Sequence, residues 1–232
     1  MPSPKTTAQP ATPLRRKPLQ ARAQQTIQTL FRAAAQILDR DGEAGLNTNR
    51  VAQEAGYSIG TLYQYFPSKE ALLGAMAAQG RDLVLRDLEA LLTELEARPD
   101  VCTLAPQAIV QPAMALLVRG FAAGRGLGHQ LVRLCWTLEQ PDETLTALRQ
   151  VADRLAVFLE RIRHPRLPPP PAATLFVLTR SVIGTLRSAS LERSPLLKSP
   201  ALEDTLVRLA LALLETPNGP SPTAPENRIG PA

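Results

Sequence analysis

Apolar residues recur along this chain at spacings of three and four, and sharp interruptions mark where each helix stops. From Gln20 to Arg40, Ile27, Leu30, Phe31, Ala34 and Leu38 share one face, which predicts an amphipathic helix. The pattern then shortens. Val51, Ala52 and Ala55 form a small-sided stripe, Gly56 follows, and Leu62 and Phe66 carry the next stripe. Thr48 is placed to cap the first short helix, because its hydroxyl can accept a bond from an unpaired N–H of the opening turn. Ser58 is placed to cap the second. Gly56 can take the left-handed conformation that ends a helix without a Cβ penalty. Two short helices joined by a glycine-containing turn predict a helix-turn-helix, whose second helix enters a DNA major groove. Ile59, Gly60, Thr61, Tyr63, Gln64 and Tyr65 face outward on it, offering hydroxyl and amide groups and no carboxylate.

A long helical pattern follows from Ser68 to Arg98, broken by Pro99, and its length suggests a connector. Further helices are expected over 105–123, 127–138, 142–163, 172–192 and 199–215. Asp142 and Glu143 open one of them, where the helix dipole favours negative charge, and Arg161 and Arg163 close it. The run from His164 to Pro171 reads as a stiff, extended linker. In the last two helices Leu175, Leu178, Val182 and Leu186, then Leu202, Leu206, Leu209 and Leu213, make continuous apolar faces. Both faces exceed what one subunit of this size is expected to bury, which points to pairing between copies.

Composition narrows the class. Hydrophobic residues make up 44% of 232, enough for a sizeable helical core, while aromatics at 4% and the absence of β-branched runs argue against strands. The expected fold is all-α. Residues 1–69 contain nine Lys/Arg against four Asp/Glu, whereas 70–232 contain seventeen of each, so the whole excess of +5 lies with the helix-turn-helix. Such a surface attracts phosphate backbone through counterion release. Cys102 and Cys135 lack partners at metal-ligand spacing and are expected to be buried free thiols. With two histidines and no paired carboxylates in an apolar setting, neither an enzyme nor a metal or cofactor site is expected. The closely spaced glycines in 120–128 read as an interhelical turn, because no strand precedes them. No stretch suits a signal peptide or membrane span, so a cytoplasmic protein without membrane contact is expected.

The segment LNTNRVAQEAGYSIGTLYQYFPSKEALL, residues 46–73, resembles the DNA-binding signature of the tetracycline-repressor (TetR) family of bacterial transcriptional regulators. The likeness covers roughly residues 20 to 80. Tyr57, where a smaller aliphatic residue is usual, and Pro67 are slight departures. The resemblance implies a TetR-type helix-turn-helix domain over 19–80 and a helical effector-binding and dimerisation domain over 81–215. From composition, a basic, Pro-rich disordered tail is expected over 1–18 and a disordered tail over 216–232. The resemblance implies that Thr48, Asn49, Tyr63 and Lys69 meet phosphates, and that Ile59, Gly60, Thr61, Gln64 and Tyr65 face bases or backbone. It further implies a homodimer paired through residues 172–215 and released from a palindromic double-stranded operator by a small hydrophobic effector. Met114, His129, Arg133 and Trp136 are the candidate pocket residues. The alternative is a helical protein-interaction module that has kept the fold and lost DNA binding.

Overall fold

The computed structural model describes residues 16–123 and 141–215, and every regular element among them is helical. In chain order these are α1 (Arg16–Asp41), α2 (Thr48–Glu54), α3 (Ile59–Tyr65), α4 (Lys69–Ala97), α5 (Pro106–Ala123), α6 (Pro141–Ile162), α7 (Ala172–Leu191) and α8 (Pro200–Leu214). Short 3-10 turns at Glu43–Gly45, Val101–Thr103 and Pro195–Lys198 join some of them. Local chemistry explains the boundaries. Ser68 and Ser199 accept bonds from the N–H groups of Ala71 and Ala201. Arg98 is driven into extended backbone by Pro99 and so ends α4. Pro112 lies inside α5, where it removes one helical N–H.

α1 starts earlier than its apolar pattern indicates. Arg16 and Lys17, expected in the disordered tail, form its first turn. Pro18 is tolerated there because the first-turn N–H groups have no intrahelical acceptor. Residues 1–15, the helix expected over 127–138, and the tail over 216–232 lie outside the described residues.

Three apolar clusters hold the helices together. The first gathers Leu30, Phe31, Ile37 and Leu38 of α1, Val51 and Ala52 of α2, Leu62 of α3, and Leu72, Leu73 and Met76 of α4. A second unites Val110, Met114, Val118 and Phe121 of α5 with faces of α7 and α8. The third joins Leu88, Leu92 and Leu95 of α4 to Phe158, Leu159 and Ile162 of α6. Helix α4 thus buries its first turns in one core and its last turns in another. No residue between Met76 and Leu88 is fully buried, so the middle of α4 bridges the two.

Three expectations change here. Leu175, Leu178, Val182 and Leu186 are buried within the subunit, as are Leu202 and Leu206. The reason is α5, which covers Leu178, Val182 and Leu186 of α7 and Leu202 and Leu206 of α8, together with α6, which covers Leu175; Leu209 and Leu213 are partly buried against the cluster around α5. The apolar residues that α7 leaves exposed are Phe176, Val177 and Leu191, with Leu196 just beyond its end. The segment after α6 is also more than a spacer. His164 and Leu167 are buried, and His164 Nε2 lies 2.8 Å from the Leu104 carbonyl. The Arg166 N–H donates to His164 Nδ1, so Nε2 must carry the proton that bonds Leu104. Cys102 is exposed rather than buried, because its 3-10 turn runs over the surface. No helix among the described residues is long and apolar enough to cross a membrane.

An ionic seam fastens the far half of α4 to α6. Arg154 donates to Glu89 and Glu96, each at 2.7 Å, and Arg161 adds a longer bond to Glu96. The hydrogen bond from Arg154 holds Glu89 below its ordinary carboxyl range, and Glu89 in turn raises Arg154. Because the folded value of Glu89 is lowered, its contribution is present above the unfolded carboxyl range and is lost as pH falls through the folded value. Glu89 is half exposed, so solvent screening keeps that part small. Arg154→Met leaves the more buried Glu96 with only Arg161. It is expected to cost about 1–2 kcal/mol near neutral pH. The loss should shrink on acidification, as thermal denaturation at several pH values would show. A loss that is the same in acid and at neutral pH would rule the seam out as its source.

Candidate nucleic-acid interface

The supporting helix α2 is capped by Asn47, not Thr48: Asn47 Oδ1 accepts from the Arg50 N–H at 2.9 Å. Thr48 is the first helical residue, and its hydroxyl lies 3.2 Å from that of Tyr63 on α3. Asn47, the residue before it, has the extended backbone that a capping residue requires. At its other end α2 closes in a Schellman turn. Gly56 donates to the Gln53 carbonyl and Tyr57 to the Ala52 carbonyl, with Gly56 at φ 72°. Tyr57 then packs partly buried against the N-terminal core, which gives its larger side chain a use.

Helix α3 follows, capped by Ser58, whose Oγ accepts from the Thr61 N–H at 3.1 Å. Leu62 and Phe66 point inward, and the Phe66 ring lies 5.6 Å from that of Phe31. Of the expected outward set, Gly60, Tyr63 and Gln64 are exposed and Thr61 is half-buried. Ile59 and Tyr65 depart from that expectation. Both pack against the core, because a seven-residue helix on a small unit has wide apolar flanks. The Thr61 hydroxyl sits 2.9 Å from Ser58 Oγ, tying it to the cap. A Cβ on Gly60 would meet only Ser58 Oγ at 3.7 Å, so internal packing does not demand glycine there. Asn49 is exposed beside Thr48, and Lys69 is half-buried at the start of α4.

The outer surface of α3 is free of carboxylates, and the acids near it are engaged. Arg40 bonds Asp41 and Glu54, while Arg50 bonds Asp41. Glu70 bonds its own backbone N–H and the Ser68 hydroxyl, which together hold its carboxyl below the ordinary range. This mesh of Arg40, Asp41, Arg50 and Glu54 was not legible in the sequence, where pairs of opposite charge nine and fourteen residues apart carry no periodic signal.

The candidate effector residues fare differently. Met114 is buried among Val110, Val118, Leu178 and Val182. His129, Arg133 and Trp136 lie outside the described residues. An open cleft of about 340 Å³ separates α4 from α6, but Met114 does not line it. Arg81, Asp82, Asp142 and Glu143 stand among its walls beside Leu85 and Ala147, and Arg81 donates to Glu143 across it at 2.9 Å. Among the described residues, no three His, Cys, Asp or Glu gather as a metal site would require.

Comparison with known proteins agrees with this geometry. Residues 30–76 match the model for bacterial regulatory proteins of the tetR family. No curated protein sequence matches the chain. Among solved structures, the SmeT–triclosan complex is 19% identical, covering 86% of this chain and 96% of that one, with a TM-score of 0.56. A TetR family transcription regulator from Marinobacter aquaeolei VT8 is 18% identical over 84% and 98% of the two chains, with a TM-score of 0.52. The transcriptional regulator FadR from Bacillus subtilis, in complex with stearoyl-CoA, is 15% identical over 81% and 98%, with a TM-score of 0.51. At these identities the likeness is one of fold, and it extends well past the matched N-terminal segment. Residues 30–76 thus carry the DNA-binding segment of the tetR family of bacterial regulatory proteins, and the described remainder shares the all-helical fold of the TetR-family structures it resembles.

Proposed function

We propose that this DNA-binding regulator is a repressor that holds a palindromic operator as a homodimer and lets go when a small apolar effector binds. The observation that carries the reading is the exposed, carboxylate-free surface of α3 with Tyr63 hydroxyl-to-hydroxyl against Thr48. Two hydroxyls 3.2 Å apart, on two helices, are suited to one phosphate oxygen pair. Lys69 and Asn49 extend that phosphate-facing edge on either side. Gln64, exposed at the middle of the surface, is the side chain best placed to read a base edge through its amide. Gly60 leaves room for the DNA backbone, and Thr61, Ile59 and Tyr65 supply its flanks.

Band-shift titrations test the assignment. Tyr63→Phe keeps the ring and loses one hydroxyl, so affinity should fall by a similar factor on operator and random DNA. Combined with Thr48→Val, the loss should be smaller than the product of the separate losses, because the two groups share a phosphate. Gln64→Ala should instead change base preference, since a bidentate base contact discriminates by about 1–3 kcal/mol. Unaltered affinity and unaltered site selection in all of these variants would overturn the reading. A helical interaction module would show no DNA binding that weakens steeply with salt.

The second copy is assigned to the outer face of α7. Phe176, Val177 and Leu191 are exposed there, on the side opposite the buried Leu178, Val182 and Leu186. A two-fold pair would present two α3 helices to major grooves about 34–36 Å apart. The effector is placed with the helices after α4. Triclosan and the acyl chain of stearoyl-CoA, ligands of two proteins of this fold, are apolar, and an apolar pocket is consistent with the Met114 cluster. Release requires that the effector favour one setting of α4 over another, and a tenfold preference corresponds to about 1.4 kcal/mol.

A further inference from the structure

Arg50 is the only cation in α2, and its guanidinium turns away from the α3 surface. Nη1 donates to the Gly45 carbonyl at 3.1 Å, and Nη2 bonds the Asp41 carboxylate. Beside it Arg40 donates through Nε to the same carboxylate at 2.9 Å and through its terminal nitrogens to Glu54 at 3.4 and 3.5 Å. Arg40 and Asp41 belong to the last turn of α1, Arg50 and Glu54 to α2, so the links cross between the helices over the Glu43–Gly45 turn. Glycine at 45 is what admits this arrangement. A Cβ there would stand 2.5 Å from Asp41 Cβ and 3.0 Å from Arg50 Nη1.

From these contacts we propose that Arg50 is a positioning residue that fixes the setting of α2, and through it of α3, rather than a ligand for DNA phosphate. The proposal rests on the DNA-binding reading above. Helix α2 has seven residues and buries only Val51 and Ala52, so apolar packing constrains its rotation about its own axis weakly. The guanidinium fork adds two directional restraints from one rigid plane. The Schellman turn at Gly56 then transmits that setting to α3 without slack. Asp41 stays charged in this role, since Arg40 first and Arg50 after it keep its carboxyl below the ordinary range. Exposed ion pairs add little to folding. The clasp therefore acts on the fit of α3 to its site more than on the melting point.

The test compares R50M, R50K and D41N with the parent chain, using operator and random duplexes over a series of salt concentrations. If Arg50 positions α2, R50M binds operator about ten-fold more weakly, while random-sequence binding and the salt slope stay as in the parent. R50K, with one ammonium that cannot span both acceptors, also loses operator affinity. D41N, which removes a negative charge, weakens operator binding too. If Arg50 instead binds phosphate, R50M weakens operator and random DNA alike and lowers the salt slope by about one. In that case R50K is close to the parent and D41N tightens binding; this pattern overturns the proposal. Should R50M fail to fold, as judged by its melting profile, the opposite signs expected of D41N decide the matter. A parent chain that binds no DNA at any salt would remove the DNA-binding reading itself, and the positioning role with it.

Discussion

Phe176→Asp is expected to turn the protein into a monomer in light scattering and to weaken operator binding about a hundred-fold or more. The side chain is 57% exposed, so an aspartate there meets water in the isolated subunit and leaves its core intact. In a two-fold pair the same position would bury a carboxylate against its own copy, since symmetry sets the same patch of both subunits face to face. Phe176 is also restrained within its own helix. The Arg180 guanidinium lies 3.8 Å over its ring, which leaves the other ring face open and limits the motion lost on docking. Joining two reading heads makes the second half-site encounter intramolecular, and avidity of that kind is worth about 10²–10⁴ in affinity. The thermal midpoint of the monomer should report only the loss of partner contacts. Leu186→Ala provides the contrast, for Leu186 is fully buried and its truncation should lower stability before it affects association. A Phe176→Asp protein that stays dimeric and holds operator with full affinity would place the interface elsewhere.

The second large effect is expected one residue from the reading surface. Leu62 is 0% exposed at the centre of the N-terminal core, among Leu30, Val51, Leu72 and Met76. Leu62→Ala should cost about 2–5 kcal/mol, because the cavity can collapse only in part. A unit the size of α1 to α3 has little stability to spare. Its unfolding should therefore separate from that of the C-terminal helices. Circular dichroism would show a new low-temperature step retaining most of the helix signal, and operator binding would disappear along with that step. Tyr63→Phe, at the neighbouring position, should leave the melting curve unchanged. A single unshifted transition in Leu62→Ala would mean that the N-terminal core is held by something other than this packing.

The contrast between these neighbours shows what could be read from the chain. Leu62 and Phe66 lie on one stripe and Tyr63 and Gln64 off it, and the helical period alone separates them. Gly56, Ser58, Ser68 and Pro99 were legible for a related reason: a cap, a left-handed turn or a proline break acts within four residues. Asn47 and Thr48 mark the limit of that legibility. Both are good caps, and the choice between them goes with a long-range contact, the meeting of Thr48 with Tyr63.

What sequence alone determined was the all-helical fold, the helix-turn-helix and the sign of its surface charge, because periodicity, capping and net charge are local or additive properties. Partnership belonged to the tertiary structure. Helix α7 is apolar on two sides, and the positions of α5, α6 and α8 decided that Leu175, Leu178 and Leu186 are core while Phe176 and Leu191 are exposed. His164 was read as a linker residue until folding brought the Leu104 carbonyl to its ring across sixty residues. The clasp of Arg50 on Gly45 and Asp41 was invisible in the same way, since a charged residue looks solvated until the fold supplies its acceptors. Which face of a helix is covered, and which charge finds its mate, depends on contacts far apart in the chain, and no local pattern encodes them.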